Sequence, residues 1–320
     1  MKKILVKFLL FFVIILTIVI NLNNIVPCKS QSEKIRIDSL ISVLDSVESI
    51  TLGRSHAGSL DYDYWGKYGF NLALGGRDFA SIKYLIEFIE PKANKLNELI
   101  IFISYSSFYF DNTAISKGNL NDARKALYYS IPSIELIDKS DISNFVFGKF
   151  LPFIQADHGY SLLKQNLLSN YADKIFIEKN WAEGYMDSLE IVQSAIKQVR
   201  IHSGDRYTAE SYTSNIIEKN KSILIDIIEF VNNQSVELIF VTPSYHNSYT
   251  EMFPQKDISE MKSIMMSLAN QYDVEYIDLS NDSTLSGNNI YYHNADHMNN
   301  LGKKLFTLRL QSLLNANNKK

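Results

Sequence analysis

The chain carries two kinds of apolar pattern in alternation. Short, nearly continuous apolar runs predict strands that are buried on both faces of a sheet; they lie at Ser49–Leu52, Tyr68–Leu74, Glu98–Ser104, Val236–Val241 and Val274–Leu279. Longer segments whose apolar residues recur three and four positions apart predict helices; they lie at Glu33–Val47, Asp78–Leu96, Tyr207–Asn232, Asp257–Tyr272 and Asn299–Leu314. Strands that alternate with helices predict an α/β fold, in which a doubly wound, mostly parallel sheet has helices on both faces.

The segment from about 105 to 205 breaks this alternation. Its pattern is mostly helical, and it holds no strong strand signal. We interpret it as a helical insertion after the third strand, folded as a cap over the carboxyl edge of the sheet. An independent helical domain is the alternative that the pattern leaves open.

The N-terminal segment predicts export. Lys2 and Lys3 precede an apolar stretch from Ile4 to Ile20, which only Lys7 interrupts. Residues 1–30 are therefore expected to be a signal or membrane-anchor segment, and 31–320 a domain outside the cytoplasm, in the periplasm or at the cell surface. A cleaved signal peptide, an uncleaved anchor and a lipoprotein signal all remain open.

The single cysteine, Cys28, follows this segment directly. Lipidation of Cys28 is the less favoured alternative, because Pro27 stands where a lipidation motif prefers a small residue. A lone cysteine also excludes an internal disulfide, so the fold must depend on its apolar core.

Composition narrows the class of protein. The chain is 46% apolar and 21% charged, with a formal net charge of −3, which is typical of a globular domain. It has no basic block that could neutralise a series of phosphates, so nucleic acid is not an expected partner.

Three polar segments follow predicted strands or precede a helix, and they should meet at one edge of the sheet. Ser55 lies on a glycine-containing turn after the first strand, where it would be exposed as a nucleophile and its backbone N–H could face an oxyanion. Gly76 follows the second strand and could offer another N–H donor. His297 precedes the last helix and could act as general base, with Asp296 nearby to orient it.

Together these segments resemble three sequence blocks of the SGNH/GDSL hydrolase superfamily: Leu52-Gly53-Arg54-Ser55-His56, then Asn71–Gly76, and Asp296-His297-Met298-Asn299 followed by Gly302. The resemblance is greatest to its membrane-anchored branch, which is related to the teichoic-acid D-alanyl transfer protein and the alginate O-acetyltransferases. It covers about 50–110 and 236–315. It implies a flavodoxin-like fold, Ser55 as nucleophile, His297 as base, Gly76 as oxyanion donor, and no cofactor.

The sequence departs from this pattern in two places. Asn294 stands where the superfamily usually has a catalytic aspartate, three residues before the histidine. Asp296 could replace it, although adjacent side chains do not readily point at each other, and the Asn294 amide oxygen could also orient the imidazole. The second departure follows the third strand, where Ser104 or Ser106 occupies the position of an asparagine oxyanion donor.

Other residues near these segments have two interpretations each. Arg54 could bind an anionic group or be solvated, and His56 could contact substrate or simply pack. His246, after the fourth strand, could face the cleft or lie in a surface loop. His293 and His297 have a spacing that would suit a metal on a helix, but they precede the helix and lack a third ligand, so no metal is predicted.

These patterns favour an extracytoplasmic serine esterase or O-acyltransferase that acts on acyl esters of a cell-envelope glycan. Its partners would be an acylated glycan or acyl donor and a membrane-bound acyltransferase. The alternative is a catalytically impaired domain that binds glycan or that acyltransferase. A third interpretation makes the insertion a protein-interaction module on an α/β scaffold.

Overall fold

The computed structural model describes residues 2–25, 29–111, 184–203 and 210–317. Two helices come first, α1 (Lys2–Ile25) and α2 (Lys29–Val43). The sheet and the candidate site belong to a compact unit that begins at Leu40, whereas α1 and most of α2 belong to a separate unit. Within the described residues, no helix combines the length and apolar character that crossing a bilayer requires.

Five parallel strands form the central sheet, in the order β2-β1-β3-β4-β5. Their bounds are β1 Ser49–Leu52, β2 Gly69–Asn71, β3 Glu98–Phe102, β4 Glu237–Thr242 and β5 Glu275–Asp278. This is the flavodoxin-like order of doubly wound α/β proteins, so the predicted fold class is confirmed. The order reverses between β1 and β3, and ligands of such sheets bind beyond the carboxyl ends of the strands at that point.

The described residues form six further helices: α3 Phe79–Ile89, α4 Ser188–Ser203, α5 Glu210–Asn232, α6 Asn247–Met252, α7 Gln255–Tyr272 and α8 Asn300–Asn317. The helix predicted at Asp78–Leu96 ends early, because a separate 3-10 turn containing Pro91 follows at Glu90–Lys92. Proline lacks a backbone N–H and cannot extend the hydrogen-bond ladder of α3. The Asp78 side chain caps the start of α3 by accepting the Ser81 N–H at 2.9 Å.

The core surrounds the middle strands. Every residue of β1 and β3 is buried. The apolar run of β3 predicts this, whereas β1 alternates polar and apolar residues, and its buried Ser49 and Thr51 hydroxyls bond to the Tyr62 hydroxyl. On one side α3 packs against α5, and α5 in turn contacts β4.

Only the two ends of the predicted insertion lie among the described residues. The first end forms a 3-10 turn at Ser107–Tyr109, and the second forms α4, which packs against α6 and against a small hairpin described below. The prediction that the insertion forms a cap over the sheet stays a prediction, because most of the insertion, 112–183, lies outside the described residues.

Candidate active site

The turn that carries Ser55 depends on a glycine. Gly53 has φ +147°, and a Cβ built on it would lie 2.9 Å from the Cβ of Phe102 on β3. Only glycine combines this conformation with so close an approach. The chain then enters a 3-10 turn, Ser55–Ser59. The Asn71 amide donates to the carbonyls of Ala57 in this turn and of Leu60 directly after it, at 2.9 and 3.1 Å.

His297 lies on an antiparallel hairpin formed by β6 (Tyr292–Asn294) and β7 (His297–Met298). The Asn294 side-chain oxygen accepts the backbone N–H groups of Asp296 and His297 at 3.1 and 2.8 Å, which fixes the turn between the two strands. The sequence did not predict this hairpin, because its strands are short and polar.

The start of α8 holds the hairpin in place. Asn299 caps the helix by accepting the Gly302 N–H at 3.0 Å, and its amide donates to the carbonyl of Ile290 at 2.7 Å. A Cβ on Gly302 would lie 2.1 Å from the Tyr291 carbonyl oxygen, so a glycine is required there. The Asn-x-x-Gly spacing in the third block therefore supports the backbone that positions His297.

Ser55, His297 and Asp296 form a continuous hydrogen-bonded array. Nε2 of His297 lies 2.8 Å from the Ser55 hydroxyl oxygen, and Nδ1 lies 3.0 Å from the Asp296 carboxylate. The Asn294 amide oxygen is also 3.2 Å from Nδ1, but it already accepts two backbone N–H groups. The closer and charged Asp296 oxygen is therefore the main acceptor of the Nδ1 proton.

The expectation that Asp296 and His297 would not point at each other needs correction. Residues adjacent on a regular strand point to opposite faces. Asp296 instead lies in the turn between β6 and β7, where the chain reverses, and its side chain reaches the ring of the next residue.

Asp296 is ionised although its side chain is completely buried. Burial raises the pKa of its carboxyl, but the charge of His297 and hydrogen bonds from His297 and His56 outweigh burial and hold that pKa well below its ordinary range. The carboxylate can therefore stabilise an imidazolium on His297.

His56 is buried against this array, and protein groups occupy both of its ring nitrogens. It is 2% exposed; its Nε2 lies 3.0 Å from the second Asp296 oxygen, and its Nδ1 lies 2.9 Å from the Ser104 hydroxyl. Burial is the largest of the effects that lower the pKa of His56 to about 4, so the ring is neutral at physiological pH. Its one proton is on Nε2, facing the carboxylate, and Nδ1 is an acceptor.

This tautomer of His56 also determines the hydrogen bonds that Ser104 forms. The Ser104 hydroxyl must donate to Nδ1 of His56, and the Ser104 backbone N–H donates to the Ser107 hydroxyl at 2.8 Å. Both of its donors are occupied, so Ser104 does not serve as the oxyanion donor that the sequence suggested. The structure makes it a partner of the buried histidine instead.

His202 on α4 is part of the cluster, and the sequence interpretation missed it. Its Nδ1 lies 3.7 Å from Asp296 and 2.9 Å from the Tyr249 hydroxyl, and burial is the main reason that its pKa is well below the ordinary value. The loop after β4 contributes the Tyr245 ring, which contacts His56 edge-on. A single histidine in an amphipathic helix gives no sequence signal for such a position.

The second sequence block lies beside Ser55. A Cβ built on Gly75 would be 3.9 Å from the Cβ of Ser55, and Gly76 has the left-handed φ of +82°. Ser55 is the first residue of its 3-10 turn, where the helical ladder does not use the backbone N–H. Two predicted oxyanion donors, the N–H groups of Ser55 and Gly76, thus belong to neighbouring turns.

His246 is not part of this cluster. It caps α6: its Nδ1 is 2.8 Å from the Ser248 hydroxyl, and its Nε2 is 2.9 Å from the Asn289 side-chain oxygen. Both ring nitrogens are therefore occupied by protein partners, which corrects the prediction that His246 faces the cleft. Its backbone N–H donates to Ala295 at 3.0 Å and so supports the hairpin turn.

One group of side chains in the described part of the chain could hold a metal ion. Ligand atoms of His56, Asp296 and His297 lie within 4.8 Å of one another. Each of these side chains also forms a hydrogen bond of 3.0 Å within the group, so a bound ion would have to displace those protons. His293 and His297 lie on opposite strands of the hairpin rather than on one helix.

Comparisons with known proteins place the chain in no family. No family profile matches it, and no curated protein does either. Among solved structures, a Bacteroides fragilis protein described as "a putative acylhydrolase" has 11% sequence identity, and the similarity covers 87% of this chain and 94% of that one with a TM-score of 0.40. The fold and the site by themselves define a doubly wound α/β protein with a Ser-His-Asp array at the carboxyl edge of its sheet.

Proposed function

We propose that this chain is a serine ester hydrolase or O-acyltransferase that forms an acyl-enzyme on Ser55. The observation that carries the proposal is the distance of 2.8 Å between Nε2 of His297 and the Ser55 hydroxyl, with the ionised Asp296 at 3.0 Å from Nδ1. This is the arrangement in which an imidazole activates a serine hydroxyl. The resemblance of the three sequence blocks to SGNH hydrolases supports the same chemistry.

The steps follow from the geometry. The Ser55 oxygen attacks the ester carbonyl while His297 takes its proton, and Asp296 stabilises the resulting imidazolium. The N–H groups of Ser55 and Gly76 donate to the oxyanion. His297 then returns the proton to the leaving oxygen, which departs as an alcohol. Water or a sugar hydroxyl releases the acyl group in a second attack, for which His297 again acts as base.

Substrate and location are part of the proposal. The resemblance to the membrane-anchored branch supports an acyl ester of a cell-envelope glycan, with a membrane-bound acyltransferase as partner. Lys2 and Lys3 are followed by an apolar segment from Ile4 to Ile20. This pattern supports an extracytoplasmic domain that residues 1–30 tether to the membrane. Fractionation of cells that carry the full chain, with protease added from outside, tests this: a fully protected, unbound protein would contradict it.

The catalytic proposal is tested with the full chain, an aryl acetate and a fluorophosphonate probe. We expect the probe to label the wild type, and Ser55→Ala to lose labelling and at least about 1,000-fold in kcat/KM. Ser263→Ala, an exposed serine on α7, is the control and should retain both. Full turnover by Ser55→Ala would refute the proposal, and a folded wild type that neither reacts nor is labelled would favour the catalytically impaired binding domain.

A further inference from the structure

Arg54 immediately precedes the nucleophile and is half-buried. Its Nη1 donates to the Ser106 hydroxyl at 2.5 Å, and its guanidinium lies over the Phe110 ring at 4.4 Å from the centroid. Among the described residues no carboxylate pairs with it. Its Nε is buried without a hydrogen-bond partner, and no hydrogen bond joins its Nη2 to another described residue.

An arrangement of this kind is costly for the folded protein. Arginine is always charged, and a partly buried charge is normally paired with an opposite one. Arg309 follows that rule, with Asp282 at 2.8 Å. Among the described residues the carboxylate of the site is that of Asp296, and it is occupied by His297 and His56. Its charge therefore does not compensate that of Arg54.

The positive charge of Arg54 acts on the site. After burial, which has the largest effect, Arg54 is among the charges that lower the pKa values of His56 and His202. Ser106 and Phe110 fix the orientation of the guanidinium, and the side chain is only half-buried. A fixed guanidinium whose Nη2 forms no hydrogen bond with the described residues suits an oxygen of a carboxylate or phosphate group.

We propose that Arg54, held by Ser106 and Phe110, is a binding site for a negatively charged oxygen group, carboxylate or phosphate, on the substrate beside the reacting ester. The inference rests on the proposed function and gives it a substrate class: anionic acyl esters. Arg54 binds the group that does not react and takes no part in proton transfer.

The test compares anionic and neutral esters with the full chain. One set carries the charge on the leaving group: 4-acetoxybenzoate and 4-acetoxyphenyl phosphate, against methyl 4-acetoxybenzoate. The other carries it on the acyl group: mono-4-nitrophenyl succinate against 4-nitrophenyl butyrate. We expect the wild type to prefer at least one anionic ester by about 10- to 100-fold in kcat/KM, the usual range for a charge-assisted hydrogen bond.

Three variants separate the explanations. Arg54→Gln should abolish the anionic preference, and Arg54→Lys should retain part of it, because the charge remains without the planar fork. Arg309→Gln removes a cation elsewhere and should keep the wild-type preference. An equal loss on neutral and anionic esters in Arg54→Gln would overturn the proposal, since Arg54 would then act on the fold or on the oxyanion. An unchanged preference in Arg54→Gln would overturn it as well.

A binding measurement that needs no turnover tests the anion site separately from the catalytic proposal. In the Ser55→Ala background, 4-acetoxybenzoate should raise the melting temperature more than its methyl ester, and adding Arg54→Gln should remove the difference. If no ester is turned over by the wild type, the catalytic proposal fails while this measurement still decides the role of Arg54. Equal shifts with both ligands would refute the anion site.

Discussion

Replacing Asp296 by asparagine separates its charge from its hydrogen bonds. At present one carboxylate oxygen accepts from His297 and the other from His56. An asparagine has one oxygen and one NH2 group, so one of the two histidines must meet a donor. His56 can adapt by moving its proton to Nδ1 and donating to Ser104, while its Nε2 accepts from the new amide. The asparagine oxygen then remains for His297, and we expect the variant to fold.

The loss should therefore appear mainly in catalysis. At 3.0 Å, and with an effective dielectric constant of about 20, a carboxylate stabilises an imidazolium by about 5 kcal/mol. The dipole of the new amide recovers part of this, leaving about 4 kcal/mol. That corresponds to a fall of about 1,000-fold in kcat/KM. KM itself should change little, because the charge matters after proton transfer.

The assay is hydrolysis of an aryl acetate across the neutral pH range, with the melting temperature measured in parallel. A second variant sharpens it: Asp296→Asn combined with Asn294→Asp returns a carboxylate to a position 3.2 Å from Nδ1. The double variant should regain at least about tenfold over Asp296→Asn. Wild-type turnover by Asp296→Asn would show that Asp296 is not the partner of His297, and a collapse of its melting temperature would refute the tautomer exchange.

Two further predictions concern stability. Because burial lowers the pKa of His56 from 6.5 to about 4, the unfolded chain takes up its proton first as the pH falls. The free energy of unfolding should therefore decrease between about pH 6.5 and pH 4, by about 3 kcal/mol, and His56→Gln should flatten this slope in urea titrations; a stability that rises on acidification would contradict it. Gly302→Ala places a Cβ 2.1 Å from the Tyr291 carbonyl and should cost about 1–3 kcal/mol and reduce kcat, whereas Gly184→Ala, whose Cβ meets nothing within 4 Å, should have neither effect.

The apolar pattern was sufficient to locate the sheet. Strands β3 and β4 lie in the centre and are covered on both faces, so their sequences carry continuous apolar runs. Strand β1 alternates polar and apolar residues, and its buried Ser49 and Thr51 hydroxyls are hydrogen-bonded to the Tyr62 hydroxyl at 2.9 and 2.8 Å. The hairpin of β6 and β7 has no continuous apolar run. Side chains fix its shape, mainly the Asn294 oxygen and the Asn299 cap, and those contacts become visible only in three dimensions.

The residues around the reacting pair were harder to assign than the pair itself. The order of strands and helices along the chain was enough to predict that Ser55 and His297 lie at one edge of the sheet, because the carboxyl ends of parallel strands meet there. The hydrogen-bond roles of His56 and Ser104 depend instead on which ring nitrogen of His56 carries the proton. That nitrogen is Nε2, because it faces the buried Asp296 carboxylate. His202 reaches the cluster from a helix far along the chain, which no local pattern indicates.

The replacement of the expected aspartate by Asn294 now has a physical explanation. In this chain two residues, Asn294 and Asp296, contact Nδ1 of His297, where the resemblance to SGNH hydrolases predicts a single aspartate. Asn294 holds the backbone of the turn through its amide oxygen, and Asp296 supplies the charge. Because the carboxylate of Asp296 lies in the turn, it is placed between His297 and the buried, neutral His56. The Nε2 proton of His56 is donated to the second carboxylate oxygen. A carboxylate that is hydrogen-bonded from both sides is held in place, so an aspartate adjacent in sequence keeps its contact with Nδ1 of His297.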